Sequence, residues 1–580
     1  MTKASILAIL AFSLGSICFF QACKGDKTLS QKGNKAYVRI PAEPQRLNPL
    51  TTEEANSIQV MGHIFMSLLD YDPQTLAIQP VLAKTRPTVV PITEGVLKGG
   101  TAYTFEIRDE AVWDNGTPVT AADFVFTVKA ILNPKSGANN LRSQLDYIKA
   151  IEIDPTNPKK FTLQMDKKYF MAEENLGLLP ILPEYVYDTE GILKNLSIAE
   201  IAKPDTAKIG SLLSQFANAI QSPKFSRETV QGCGAYNLAE WKADDRLVLS
   251  KKKNWWGDKL ASQSPYFEAL PDELHFRIVK DEASATAQLK NGEFDAMTKI
   301  SPKDFLEMQK NDTFKTRYQF TTSPTTNIVY AGINCKNPKL ADKRTRRALA
   351  HLFDVGTIIQ TALRGLGDPV ANPFVPQRAY YNRDLKPIEL NIEQAKTLLA
   401  AAGWKNTNAD STIDKTIEGK LTEFSIRFTY GSPQAKNIGL MFQENAAKAG
   451  IKVELIQMEA KAYLETLAKR DFDLFFMNAG LPPLSDDPKE MWASSSNKPD
   501  GGNRCQFENK AADVLIEQIR SELDETKRMG LYKKLQALIY DEQPAIFLFS
   551  PNERIALNTR FEAKAVARRP NYVLGQFKLK

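Results

Sequence analysis

The chain has 580 residues, too many for one ordinary hydrophobic core, so two or three domains are expected. Its 43% hydrophobic and 25% charged residues are those of a folded globular protein. The net charge of +7, with no basic stripe interleaved with aromatics, argues against nucleic acid. Three scattered histidines, His63, His275 and His351, leave little for a histidine metal site or a catalytic triad.

Lys3 is followed by an apolar run from Ala4 to Phe20, short for a membrane span. The run ends Phe20-Gln21-Ala22-Cys23, which resembles a bacterial lipobox. That reading makes 1–22 a leader, Cys23 the lipid-bearing first residue, and 23–36 a polar tether. An uncleaved anchor helix is the alternative, and either way the bulk of the chain lies outside the cytoplasm. Cys18 goes with the leader. Cys233, Cys335 and Cys505 remain, which permits one disulfide at most and leaves its partners open.

Tyr37–Ile40 reads as a short strand, and Ile58–Leu69 as an apolar helix with His63 on its face. Asp72-Pro73 is a turn. Tyr103, Phe105 and Ile107 alternate with polar residues, which predicts a half-buried strand. Asn115-Gly116 is a turn pair, and Thr120 with Asp123 is a capping box. The helix that follows places Val125, Val128, Ile131 and Leu132 on one face and stops at Asn133-Pro134. Further strands are expected at Phe161–Met165 and Asn327–Asn334. Leu274 to Met297 reads strand, helix, strand, a right-handed parallel unit.

Asp342 caps the next helix, whose Arg344, Arg346 and Arg347 read as a solvated face. Asn391–Gly403 is a helix with an Asn cap and a terminal Gly. Lys405–Lys420 carries Asn406, Asn408 and Asp410 at calcium-loop spacing. Ser411 stands where the sharp-turn glycine belongs and Ile417 where the bidentate glutamate belongs, so the segment reads as a hydrophilic excursion. Phe424–Thr429, Gln434–Ala449, Ile451–Met458, Lys461–Lys469 and Phe472–Met477 alternate strand and helix, which predicts a parallel sheet. Ligands on such sheets sit beyond the carboxyl ends of the strands, which directs attention to Asn478–Pro488. Thr526–Tyr540 is a late helix and Ala545–Ser550 a strand. There is no Walker-type phosphate loop, no G-x-S-x-G elbow and no H-E-x-x-H.

The run Trp113–Phe126, W-D-N-G-T-P-V-T-A-A-D-F-V-F, resembles the signature of the family 5 solute-binding proteins, receptors of peptide and nickel ABC importers. Leu47-Asn48-Pro49, Gly232–Tyr236, the helix start at Asp342 and the run from Asn391 to Trp404 resemble further motifs of that family. The resemblance covers about Tyr37 to Phe561. It implies an α/β, three-lobed periplasmic-binding-protein-like (class II) fold with a two-segment hinge. Lobe I would hold 37–80, 205–320 and 545–580, lobe II 81–204, and lobe III 321–544. The hinge segments are expected near Thr321–Thr326 and near Pro544.

The resemblance also implies a non-enzymatic monomer of the cell envelope, without cofactor or metal. It would capture a peptide or another small polar solute by lobe closure and hand it to an ABC permease. A sensor or chaperone-like surface binder on the same scaffold is the alternative, and a hydrolase a third reading. In the family's peptide binders an extended ligand pairs with two backbone segments. Here these are Glu53, Glu54 and Ala55, and then Gly480 and Leu481. Asn327 and Tyr330, on the strand entering lobe III, are placed facing the cleft. The family aspartate that takes the peptide α-amino group is replaced by Leu484. Either Asp486 assumes that role, or the ligand presents no free amine there.

Overall fold

The structure is a computed structural model, and it describes residues 33–482, 485–499 and 501–580. The leader, Cys23 and the tether up to Gln31 and Lys32, together with Leu484, lie outside the described residues. Lys35 and Ala36, expected in the tether, already belong to the strand Lys35–Ile40.

Twelve strands make one sheet with two halves. In the first half, Lys35–Ile40 lies parallel between Glu273–Ile278 and Ala296–Met297, as the strand–helix–strand reading requires. Arg246–Lys251 and Tyr236–Lys242 extend this half antiparallel. In the second half, Ser425–Tyr430 lies parallel between Lys452–Gln457 and Leu474–Gly480. Asn327–Ile333 follows antiparallel. The predicted alternation of strands and helices is therefore the observed one.

Both halves share the strand Ala545–Asn558, which is twice as long as its apolar core suggests. Its first part pairs with Asn327–Ile333 and its last part with Tyr318–Pro324. The change of partner falls at Ser550–Asn552, beyond the position near Pro544 expected for a crossing. There Thr325 Oγ donates to Pro551 O at 2.6 Å and Ser550 Oγ to Thr325 O at 3.3 Å.

A separate four-stranded antiparallel sheet orders Thr88–Pro91, Thr101–Glu106, Lys160–Met165 and Ile148–Ile153. Beside it the helix Ala121–Leu132 is buried on nearly every side, and only Val125 among the four residues of its expected face remains part-exposed. The reason for the Trp113–Phe126 wording is visible. The buried Asp123 carboxylate accepts from Thr120 N at 2.9 Å, Thr120 Oγ at 3.2 Å and the Trp113 indole at 3.3 Å. One acid thus ties the turn to the helix start.

Three expectations are corrected. The helix over Ile58–Leu69 is only Ala55–Met61. The His63 and Ile64 carbonyls accept from Tyr236 N and Gly234 N, at 3.1 and 2.8 Å, instead of from a continuing helix. That approach needs glycine: a Cβ on Gly232 or Gly234 would fall 2.3 or 2.6 Å from these carbonyl oxygens. The Arg346 side chain is buried, donating to the Leu340, Ala341 and Glu542 carbonyls, and only Arg344 fits the solvated face. Arg347 lies over the Tyr540 ring at 4.3 Å. The 405–420 excursion contains half a hairpin, Asp414–Ile417 against Lys420–Glu423, with Asp414 accepting from Thr407.

His63 packs edge-on to Tyr236 at 5.8 Å and against Phe276 at 6.0 Å. Burial, aided by the Arg568 charge, pushes its pKa down to about 4. The unfolded chain therefore takes up this proton first as pH falls. Stability associated with neutral His63 is complete above about 6.5 and is lost on descent toward 4. Denaturant unfolding at pH 7 and pH 4.5 should show a loss on the order of 2 kcal/mol that His63→Gln removes.

Candidate functional site

Two backbone segments define the site. The first is set by the Leu47-Asn48-Pro49 turn. Buried Asn48 accepts from Leu50 N at 3.0 Å and donates to Ile220 O at 2.8 Å, anchoring the loop on the Ala207–Ile220 helix. The chain then runs to Glu53 and Ala55, both exposed, with Glu54 extended between them. The Glu54 carboxylate is occupied: it accepts from Asn56 N at 3.2 Å and Ser57 Oγ at 2.7 Å, capping the next helix. Glu53 accepts from Asn140 Nδ2. A cavity of about 300 Å³ opens beside them, lined by Arg46, Thr51, Thr52 and Gln221 among others. Thr51 Oγ is buried there without a hydrogen-bond partner.

The second segment is the end of Leu474–Gly480. One edge of this strand is paired along its length with Asn327–Ile333. The other edge meets Ser425–Tyr430 only at Leu474 and Phe475. From Phe476 to Gly480 that edge has no strand beside it among the described residues. Asn478 and Gly480 are exposed. This is an edge that an extended chain can join. Leu481 is corrected: its amide is already taken by Thr326 O at 2.8 Å, so it offers no donor.

Asn327 does reach this edge. It lies opposite Gly480, donates to Asn478 Oδ1 at 2.9 Å and accepts from Arg569. Tyr330 does not. It is 5% exposed and packed against Phe475 and Phe547, at 5.9 and 6.2 Å. Both faces of its strand are covered, so it is a core side chain. Arg569, which no local pattern singles out, is exposed beside Gly480, with Nη1 3.9 Å from where a Cβ would stand.

Asp486 is buried, 5% exposed, and committed. It accepts from Arg378 Nε at 3.0 Å, Arg378 Nη2 at 3.3 Å and the Tyr380 hydroxyl. Arg378 also donates to Pro482 O, and Tyr532 to Asp486 O. Burial raises the Asp486 pKa, while Arg378 and the Tyr380 hydroxyl pull it back. The pair fastens both ends of the loop after Leu481. It also satisfies the Asp486 carboxylate.

The segment Tyr169–Glu174 meets this loop from the other side. Tyr169 donates to Asp487 at 2.9 Å, as does Arg520 Nε at 2.9 Å. Phe170 N donates to Arg520 O at 3.0 Å, and its ring lies under Arg528 at 5.0 Å and edge-on to Tyr532 at 6.4 Å. Glu174, buried, accepts from Tyr71 at 2.8 Å and from Ser485. Burial raises its pKa, and these hydrogen bonds and Arg378 oppose the rise. Among the described residues no group of three His, Cys, Asp or Glu side chains could hold a metal, and no helix is long and apolar enough to cross a membrane.

Residues 77–502 match the family described as bacterial extracellular solute-binding proteins, family 5 middle. The oligopeptide-binding protein AppA of Bacillus subtilis is 27% identical over 576 residues, covering 96% of this chain and 94% of the relative. The dipeptide-binding protein of Escherichia coli is 23% identical over 526 residues, covering 87% and 86%. Among solved structures, Bacillus subtilis AppA with a nonapeptide superposes with a TM-score of 0.67 at 24% identity, covering 94% of this chain and 99% of that one. NikA of Brucella suis with Fe(III)-EDTA gives 0.72 at 20% identity, covering 94% and 100%. These structures share the fold, and the match over most of the chain settles the family. The chain belongs to the family 5 bacterial extracellular solute-binding proteins.

Proposed function

We propose that this protein is a lipid-anchored receptor of an ABC importer, which captures a peptide or another small polar solute and hands it to a membrane permease. The observation that carries the reading is the strand edge 477–480, which no strand covers among the described residues; the Phe476 carbonyl before it already accepts from the Tyr463 hydroxyl. An extended solute would add to that edge and to the exposed Glu53–Ala55 segment, with main-chain bonds giving affinity without sequence preference. The names of the relatives, oligopeptide- and dipeptide-binding proteins, support a peptide-like ligand.

Closure would turn on 324–327 and Ser550–Asn552, and the contacts of Tyr169–Glu174 on 485–487 would hold the closed form. In that form the solute is enclosed, and its binding energy is what favours closure. The anchor would be Cys23. Cys23→Ala should abolish labelling by radioactive or alkyne fatty acid. A variant that still carries the label removes the anchor from this reading.

The charge left beside the binding edge is the Arg569 cation, since Asp486 is paired with Arg378. The ligand would then present no free amine at that point. Calorimetry with matched free and N-acetylated peptides should give equal or tighter binding for the acetylated set. Asp486→Asn strands Arg378 in the interior and should cost on the order of 3 kcal/mol of stability without creating amine selectivity. A strong free-amine preference that this substitution abolishes sinks the reading.

Phe170→Ala tests closure. It removes roughly 1–2 kcal/mol of apolar burial from the closed form only. Apparent affinity should weaken by on the order of tenfold. Solution scattering should show a larger radius of gyration for the variant at equal solute concentration. Unchanged affinity and size would show that the seam does not govern closure.

A further inference from the structure

Three cysteines survive leader removal inside the fold, and two of them meet. Cys335 follows the Asn327–Ile333 strand directly, at the end of that strand remote from Gly480. Cys505 stands in the loop before the helix Lys510–Ser521. Cys335 N donates to Cys505 O at 2.9 Å. A main-chain bond between two residues sets their backbones side by side, as a disulfide requires. Their side chains converge as well. Cys335 Sγ lies 3.7 Å from Ile333 O, and the Cys505 thiol is hydrogen-bonded to the backbone of the same Ile333. A second bond, Gln506 Nε2 to Asn334 Oδ1 at 2.8 Å, holds the two segments in register.

We propose that Cys335 and Cys505 are joined by a disulfide in the mature extracytoplasmic protein. Both are thiols in this structure. An oxidising compartment is where such pairs form and persist. The step is a thiol–disulfide exchange with an oxidised dithiol protein of the envelope. The two thiols lose two protons and two electrons as the S–S bond forms, and the oxidant's disulfide is reduced to two thiols. Cys233 is the odd thiol. It is 1% exposed, and its carbonyl accepts the Trp255 and Trp256 indoles at 2.9 and 3.0 Å, in the other half of the molecule.

Burial pushes the Cys335 thiol up to about 11 and the Cys505 thiol higher. Few thiolates are available once the lobe has folded, so the bond is made while the two segments come together and is thereafter slow to exchange. It would close a loop over residues 335–505. That loop covers most of lobe III, including the strands at the binding edge, and the bond sits at the far end from Gly480.

The test is a disulfide map of the protein exported with its own leader. The chain is denatured, alkylated without reductant, digested and weighed. A cross-linked peptide containing Cys335 and Cys505 is expected, split by dithiothreitol, with Cys233 alkylated. In intact protein, reduction should lower the unfolding midpoint of the lobe by on the order of 5 °C. Cys233→Ser should keep the cross-link and Cys505→Ser lose it. Alkylation of all three residues without reductant, or a cross-link through Cys233, overturns the proposal. None of these outcomes depends on solute binding, so failure here leaves the receptor reading untouched.

Discussion

One strand belongs to two sheets. Ala545–Asn558 supplies backbone partners to Asn327–Ile333 at one end and to Tyr318–Pro324 at the other. Each half is held by a continuous ladder and is stiff. The passage between them runs through Thr325 and Pro551, where two hydroxyl bonds and the short strand Gly367–Pro369, paired with Phe549–Pro551, add to the ladders. Leu481 bonds to Thr326 within the same crossing, so the strand edge ending at Gly480 lies beside it.

Buried charge lies just beyond that edge. Arg378 and Asp486 are both about 5% exposed, a burial whose cost their attraction only partly offsets. The arrangement is better understood as fixing one conformation than as adding stability. Tyr380, Tyr532 and the Pro482 carbonyl satisfy the remaining donors and acceptors around the pair. Glu174 approaches through Ser485 and senses the Arg378 charge. The same cluster thus meets the Tyr169–Glu174 segment.

The parts legible in the sequence are those written locally. The Thr120–Asp123 cap and the alternation from Phe424 to Met477 follow from spacing within a few residues. Arg378 and Asp486 are 108 residues apart, and Asn327 and Arg569 are 242 apart. Nothing in either segment announces the other. Arg346 is buried for the same reason: its acceptor Glu542 is 196 residues away. Two of the differences have a local signal. The uninterrupted apolar run Asn327–Ile333 marks a strand covered on both faces, which places Tyr330 in the core. Gly232 and Gly234 signal a close backbone approach, and it is this approach that occupies the carbonyls of the shortened helix near His63.

A main-chain edge accepts any extended solute equally well, so discrimination has to come from the groups around it. Near Gly480 these are the Asn327 and Asn478 amides and one exposed cation, Arg569. Near Glu53 they are a polar cavity with a buried hydroxyl that lacks a partner, Thr51. Glu54 and Asp486 are already hydrogen-bonded within the fold, while the exposed Glu53 carboxylate accepts from the Asn140 amide. A ligand ammonium group placed at Glu54 or Asp486 would have to compete with these internal bonds, whereas a carbonyl, amide or carboxylate would not.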